Sequence, residues 1–144
     1  MERDVIEKIE NIQIDMNNTK ELDEFLSQMD KSMIHGDFVD YFRSLPEFKN
    51  ISDSKLIDLS GIEKSYYYQI MKGTRKPSRD KVLRMCIAVG LSMRETTRAL
   101  ELNESATLYS KNRRDIIITV AINQRLNIID TNILLDKYGE EPIS

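Results

Sequence analysis

Between Ile51 and Arg84 the chain reads ISDSKLIDLSGIEKSYYYQIMKGTRKPSRDKVLR, and its helix starts and breakers leave little freedom in how this stretch folds. Ser52 is placed to cap a first helix whose Leu56, Ile57 and Leu59 face inward, and Ser60-Gly61 stops that helix where a positive φ is easiest. In the next segment Tyr67, Ile70 and Met71 fall at i, i+3, i+4 and make a buried stripe. Lys64, Ser65, Tyr68, Gln69 and Lys72 gather on the opposite face. Gly73 ends this second helix, Pro77 restricts the loop, and Ser78 caps a third helix, SRDKVLRMCIAV. The pattern predicts two short helices around a tight turn at Gly61, a basic loop, and a third helix.

Two helices joined by a short glycine turn form the helix-turn-helix unit, whose second helix presents its N-terminal side chains to the DNA major groove. Ser52, Leu56, Ser60-Gly61-Ile62, Ile70, Lys72-Gly73, Arg75 and Pro77-Ser78 resemble, in spacing and identity, the Cro/CI (XRE-type, lambda-repressor-like) helix-turn-helix family. The resemblance covers roughly residues 37 to 102. It implies an all-α, five-helix domain and a sequence-specific transcription regulator that binds double-stranded DNA as a homodimer on palindromic sites. With a recognition helix at about 63–72, Lys64, Ser65, Tyr68 and Gln69 would read base edges, Gln69 being suited to adenine. Ser52, Lys72, Arg75, Lys76 and Arg79 would meet phosphates. The two neighbouring tyrosines, Tyr66 and Tyr67, read as core packing.

Asp53 and Glu63 stand at the two helix starts, where the family usually places Gln, Ser or Thr near phosphate. A carboxylate there suits the helix dipole and repels a phosphate. This motivates a second reading, a protein-interaction module built on a helix-turn-helix body with weakened DNA affinity.

Net charge is −3, but it is unevenly spread. Residues 1–30 carry nine acidic and three basic side chains, whereas residues 64–84 carry seven basic side chains and Asp80 alone as acid. Local potential decides where a phosphate backbone docks, so the total does not exclude DNA. The single histidine and single cysteine leave no nucleophile–base pair, and no Gly-rich phosphate loop or metal-ligand spacing appears. The chain therefore reads as a non-enzyme without cofactor, metal or catalytic residues. Cys86, among Val82, Leu83, Ile87 and Val89, reads as a buried thiol. No run approaches the roughly 20 apolar residues of a membrane helix, and MERDVIEKIE is no secretory signal, so the cytoplasm is the expected compartment.

Three segments follow. Residues 1–36 read as an N-terminal helical arm, with one apolar stripe through Val5, Ile6, Ile9, Ile12 and Met16. Thr19 would cap a second helix, bearing Leu22, Phe25, Leu26, Met29, Met33 and Ile34 and closed by His35-Gly36. Residues 37–104 form the helix-turn-helix domain. Its first helix runs from Asp37 to Ser44, Pro46 ends it, and SMRE at 92–95 fits a capping box. Met93, Thr96, Thr97 and Leu100 of the helix that box opens should face inward.

Residues 105–144 read as a helical hairpin and short tail, because shifting 79–102 by 35 positions lays it without a gap over 114–137. Arg79/Arg114, Asp80/Asp115, Ile87/Ile122, Leu91/Leu126, Thr96/Thr131 and Leu100/Leu135 are identical. The hairpin is thus expected to duplicate 79–102, and with the N-terminal helices it offers surfaces for a partner. Propensity alone would make Ile116–Val120 a strand, but the repeat argues for helix. Lys111, Arg113 and Arg114 form a second basic cluster that either approaches phosphate or solvates a loop, and EEPIS after Gly139 reads as disordered.

Overall fold

The computed structural model describes residues 2–35 and 37–144, with the side chains of 2–5 and 29–35 left aside. Among the described residues the chain is all-helical, with ten helices and only an isolated bridge between Asp15 and Asn18. No helix there is long and apolar enough to cross a membrane. The chain divides into two compact units, Met1–Gly36 and Asp37–Ser144.

In the first unit α1 spans Glu2–Glu10 and α2 spans Lys20–His35. The first helix was expected to reach Met16 but stops early, because short polar side chains offer its backbone other partners. Asp15 and Asn18 exchange backbone hydrogen bonds, and their side chains accept from the N–H groups of Asn17 and Lys20. Thr19 precedes α2, but its hydroxyl donates to Asp23 rather than accepting a backbone N–H. Leu22 and Phe25 are half-buried, while Ile6, Ile9, Ile14, Met16 and Leu26 are exposed. The side chains of Val5, Met29, Met33, Ile34 and His35, and all of Gly36, lie outside the described residues.

The second unit holds α3 (Phe38–Ser44), α4 (Pro46–Lys49), α5 (Asp53–Ser60), α6 (Lys64–Met71), α7 (Arg79–Val89), α8 (Met93–Leu102), α9 (Arg113–Asn123) and α10 (Ile128–Lys137). Short polar residues start most of them. Asp37, Ser52, Ser78, Ser92, Asn112 and Asn127 each accept the N–H three residues on, and Ser92 with Glu95 completes a capping box. Pro46 both ends α3 and opens the one-turn α4, where its missing N–H costs nothing. Ile116–Val120 is helical.

Phe38, Phe42, Leu56, Tyr67, Ile70, Leu83, Met85, Leu100, Ile118, Leu135 and Ile143 anchor one continuous core. The segment after residue 104 extends this core: α9, α10 and the tail share it with α3–α8. In α5 the inward position falls on Ser60 rather than Leu59. Ser60 is fully buried, its Oγ donating to the carbonyl of Ile57 and accepting from the N–H of Ile62, while Leu59 is exposed. Cys86 is buried as expected, and burial pushes its thiol up to about 12. On α8, Thr96 and Leu100 are buried and Met93 and Thr97 partly so.

The 35-residue offset relates contacts as well as residues. Arg79 makes a bidentate pair with Asp115 at 3.1 and 2.9 Å, and Arg114 reaches back to Asp80 at 3.4 and 3.1 Å. Arg125 Nη1 donates to the carbonyl of its own counterpart, Gly90, at 2.7 Å. Residue i touching j' while i' touches j is the signature of a two-fold arrangement, here within one chain. The helix ends match too. Leu91 N–H bonds to Cys86 as Leu126 N–H bonds to Ala121, and Ser105 to Leu100 as Glu140 to Leu135.

These matched ends account for two unusual backbones. Arg125 (φ 56) takes the left-handed turn of Gly90 (φ 75), and Glu104 (φ 57) that of Gly139 (φ 71). An L-residue there costs about 1–2 kcal/mol. Glu104 contributes little in return, only an exposed ion pair with Lys76 at 3.8 Å. Glu104→Gly is therefore expected to stabilise the fold by about 0.5–1 kcal/mol, after the extra entropy of the unfolded glycine chain is subtracted. Urea unfolding checks this, and a lowered midpoint would show that the turn is set by something other than backbone strain.

The tail is not disordered. Ile143 is fully buried, and Asn132 brackets its backbone, accepting from its N–H at 2.8 Å and donating to its carbonyl at 3.3 Å. Arg114 donates to the carbonyls of Glu141 and Pro142, and Arg84 to those of Ile143 and Ser144. Asp80 accepts from the N–H and hydroxyl of Ser144. Burial pushes the Asp80 carboxyl up, but these hydrogen bonds and the Arg114 guanidinium outweigh it and hold it below its usual range.

Candidate nucleic-acid interface

The orientation of α6 is fixed at its start, its middle and its end. Gly61 makes the turn with φ 66. A Cβ there would stand 2.9 Å from Arg84 Nη1, which is itself held by the carbonyl of Ser60 at 2.8 Å. Tyr67, Ile70 and Met71 face the core as their spacing predicts. The Tyr67 hydroxyl donates to Asp53 at the first turn of α5, and burial first and this carboxylate second raise its pKa. At the far end Arg43 Nη2 donates to the carbonyl of Met71 at 2.8 Å.

The opposite face is open apart from Tyr68, which packs against the edge of the core. Lys64, Ser65, Gln69 and Lys72 are exposed, Tyr68 is half-buried edge-on against Tyr67, and with Glu63 they line one open concavity. All four residues expected to read bases thus share one surface with Lys72. Lys64 and Lys72 make no ion pair among the described residues. The two carboxylates that weighed against phosphate have structural work. Asp53 receives Tyr67, and Glu63 caps α6 by accepting from the Ser65 hydroxyl at 2.6 Å and its N–H at 3.4 Å. The Ser65 hydrogen bonds hold Glu63 below the usual carboxylate range. Ser65 thereby spends its hydroxyl hydrogen and presents lone pairs only.

The residues expected at phosphates are less uniform. Ser52 is exposed and its Oγ accepts the N–H of Lys55, which leaves its hydroxyl hydrogen to offer. Lys72 is exposed, and Lys76 reaches Glu104 only loosely. Arg75 is exposed and folded back along α6. Arg79 is committed elsewhere. Its guanidinium donates twice to Asp115 and once each to the carbonyls of Ala106 and Thr107, and only a quarter of its side chain is exposed. Bound this way it holds α9 and the preceding loop to α7 rather than facing outward.

Of the second basic cluster only Arg114 is turned inward, and Arg113 and Lys111 are exposed. Arg114 ties Asp80 to the tail, and Arg113 pairs with Glu140 at 3.3 Å and donates to the carbonyl of Tyr138.

Tyr66 was read as core packing, and it does lie partly buried against the core, but its ring also meets two cations. Half-buried, it carries the Arg75 guanidinium 4.0 Å above its ring, with Lys81 Nζ at 5.6 Å. A loop folding back from residue 73 creates this stack, so nothing in the local spacing of Tyr66 announces it. Among the described residues no group of three or more His, Cys, Asp or Glu side chains is placed to hold a metal ion. The chain matches no protein-family model, no curated protein and no solved structure.

Proposed function

We propose that the chain is a DNA-binding transcription regulator of the lambda-repressor-like helix-turn-helix class, working as a homodimer with α6 in the major groove. The observation that carries the reading is the division of α6. One face is locked into the core, and the other sets the exposed Lys64, Ser65, Gln69 and Lys72 beside the half-buried Tyr68. Supporting it, apart from the one-turn α4, five helices (α3, α5, α6, α7 and α8) run in order, with the turn glycine between the second and third. The capping roles of Asp53 and Glu63 give those carboxylates a reason to be present that does not involve phosphate.

Selection from random duplexes, followed by anisotropy titration of the enriched sequence at two salt concentrations, tests this. A palindromic motif and a steep salt slope are expected. Lys72→Ala should weaken all duplexes alike and reduce the slope by about 1, whereas Gln69→Ala should relax preference at one position by about 1–3 kcal/mol. Equal behaviour of the two variants would remove the division between backbone and base contacts. No enrichment would move the weight to a protein-interaction module. One feature favours that second reading: Ile129 and Ile133, one turn apart on α10, are 71% and 62% exposed.

A further inference from the structure

Resting on the DNA-binding reading, we infer that Arg75 is a base reader rather than a phosphate contact, and that with Gln69 it selects guanine. Two contacts pin the Arg75 guanidinium over α6. Its Cζ lies 4.0 Å from the centroid of the Tyr66 ring, over its face, and its Nη1 donates to Gln69 Oε1 at 3.4 Å. The loop beneath is tied to the same residue, since the Gln69 carbonyl accepts from the N–H groups of Thr74 and Arg75 and from the Thr74 hydroxyl. Gly73, with φ 76, makes the reversal that brings this loop back.

The chemistry of the pair follows from what each group can donate. A guanidinium has no acceptor, so a glutamine facing it must turn its oxygen inward and its NH₂ outward. Adenine is read by a glutamine that offers a donor and an acceptor together. Here the acceptor is occupied. What Arg75 and Gln69 jointly present is a set of donors, and the major-groove edge that offers two acceptors and no donor is guanine, through O6 and N7. The Tyr66 ring and the Gln69 amide hold the guanidinium before any DNA arrives, so little side-chain freedom is lost on binding. The adenine preference expected of Gln69 alone is thereby replaced, and Gln69 becomes a positioning residue for Arg75.

The test uses the full chain and the duplex enriched by selection. The motif should fix a guanine. Replacing that guanine by 7-deazaguanine, which lacks N7, should weaken wild-type binding roughly tenfold to a hundredfold. Inosine, which keeps O6 and N7, should leave affinity unchanged. Arg75→Ala should bind the guanine and 7-deazaguanine duplexes equally. Arg75→Lys should keep the salt slope yet lose much of the discrimination, an outcome a phosphate contact would not produce. Gln69→Ala should reduce the penalty for 7-deazaguanine without abolishing binding.

An enriched motif with adenine at the position that Gln69→Ala relaxes would overturn the inference and leave DNA binding standing. So would Arg75 variants that weaken every duplex alike. No enrichment from any pool would overturn the DNA-binding reading and the inference together.

Discussion

Asp115→Ala is expected to destabilise the second unit by about 3–5 kcal/mol, the cost of removing one partner from a largely buried ion pair. Asp115 is buried, accepts both ends of the Arg79 guanidinium, and also takes the N–H of Tyr109 at 3.0 Å. Its loss strands a guanidinium that is three-quarters covered and leaves one loop N–H without its acceptor. Against a typical domain stability of about 5–15 kcal/mol, the change is large enough to lower the urea midpoint severely. Arg79→Ala should be costly in the same way, and the double variant should cost clearly less than the sum, because each single change strands the other group. Additive costs would mean that the two side chains act independently. A near-normal midpoint for Arg79→Ala would return that arginine to the candidates for phosphate contact.

Ile143→Ala should cost about 2–4 kcal/mol, the usual range for emptying a buried aliphatic site. Ile143 is fully covered, and five side chains hold the backbone around it: Lys81, Arg84, Asn132, Arg114 and Asp80. A void there would not collapse easily, since the peptide that might follow the side chain inward is pinned on both flanks. Urea unfolding gives the magnitude. Hydrogen exchange adds location, with faster exchange expected at the Ile143 and Ser144 amides. An unaltered midpoint with these amides already unprotected in the wild type would contradict the packed tail.

Features that depend on neighbours in sequence were legible before any coordinates. The capping serines at 52, 78 and 92, the turn at Gly61 and the inward stripe of α6 rest on spacings within one or two turns. The 35-residue offset was legible as well, but what its Arg-Asp pairs do was not. Two identical dipeptides give no hint that the arginine of each pairs with the aspartate of the other. The tail looked disordered because EEPIS is short and polar, and the donors that hold it lie on α7, α9 and α10. Leu59 and Ser60 exchanged expected places for a similar reason. Hydrophobicity points Leu59 inward, yet the helix phase set by Leu56 puts Ser60 there, where two backbone groups satisfy its hydroxyl. Tyr66 needed the path of a loop that begins seven residues later.

Arg84 sets an order of events in folding. One of its nitrogens grips the carbonyl of Ser60, 24 residues earlier, and the others grip Ile143 and Ser144, 59 and 60 residues later. Helices α5 to α8 can gather through short chain loops, but the later contacts close a much longer one, and closure entropy delays them. During synthesis the guanidinium can therefore grip Ser60 early, while its remaining donors stay in water until residues 143 and 144 arrive. Because the same guanidinium walls the turn at Gly61, residues 143 and 144 brace the start of α6, whose middle and end Asp53 and Arg43 already hold. A chain lacking residues 143 and 144 would keep α6 anchored by Asp53 and Arg43 but leave the wall of its turn unbraced.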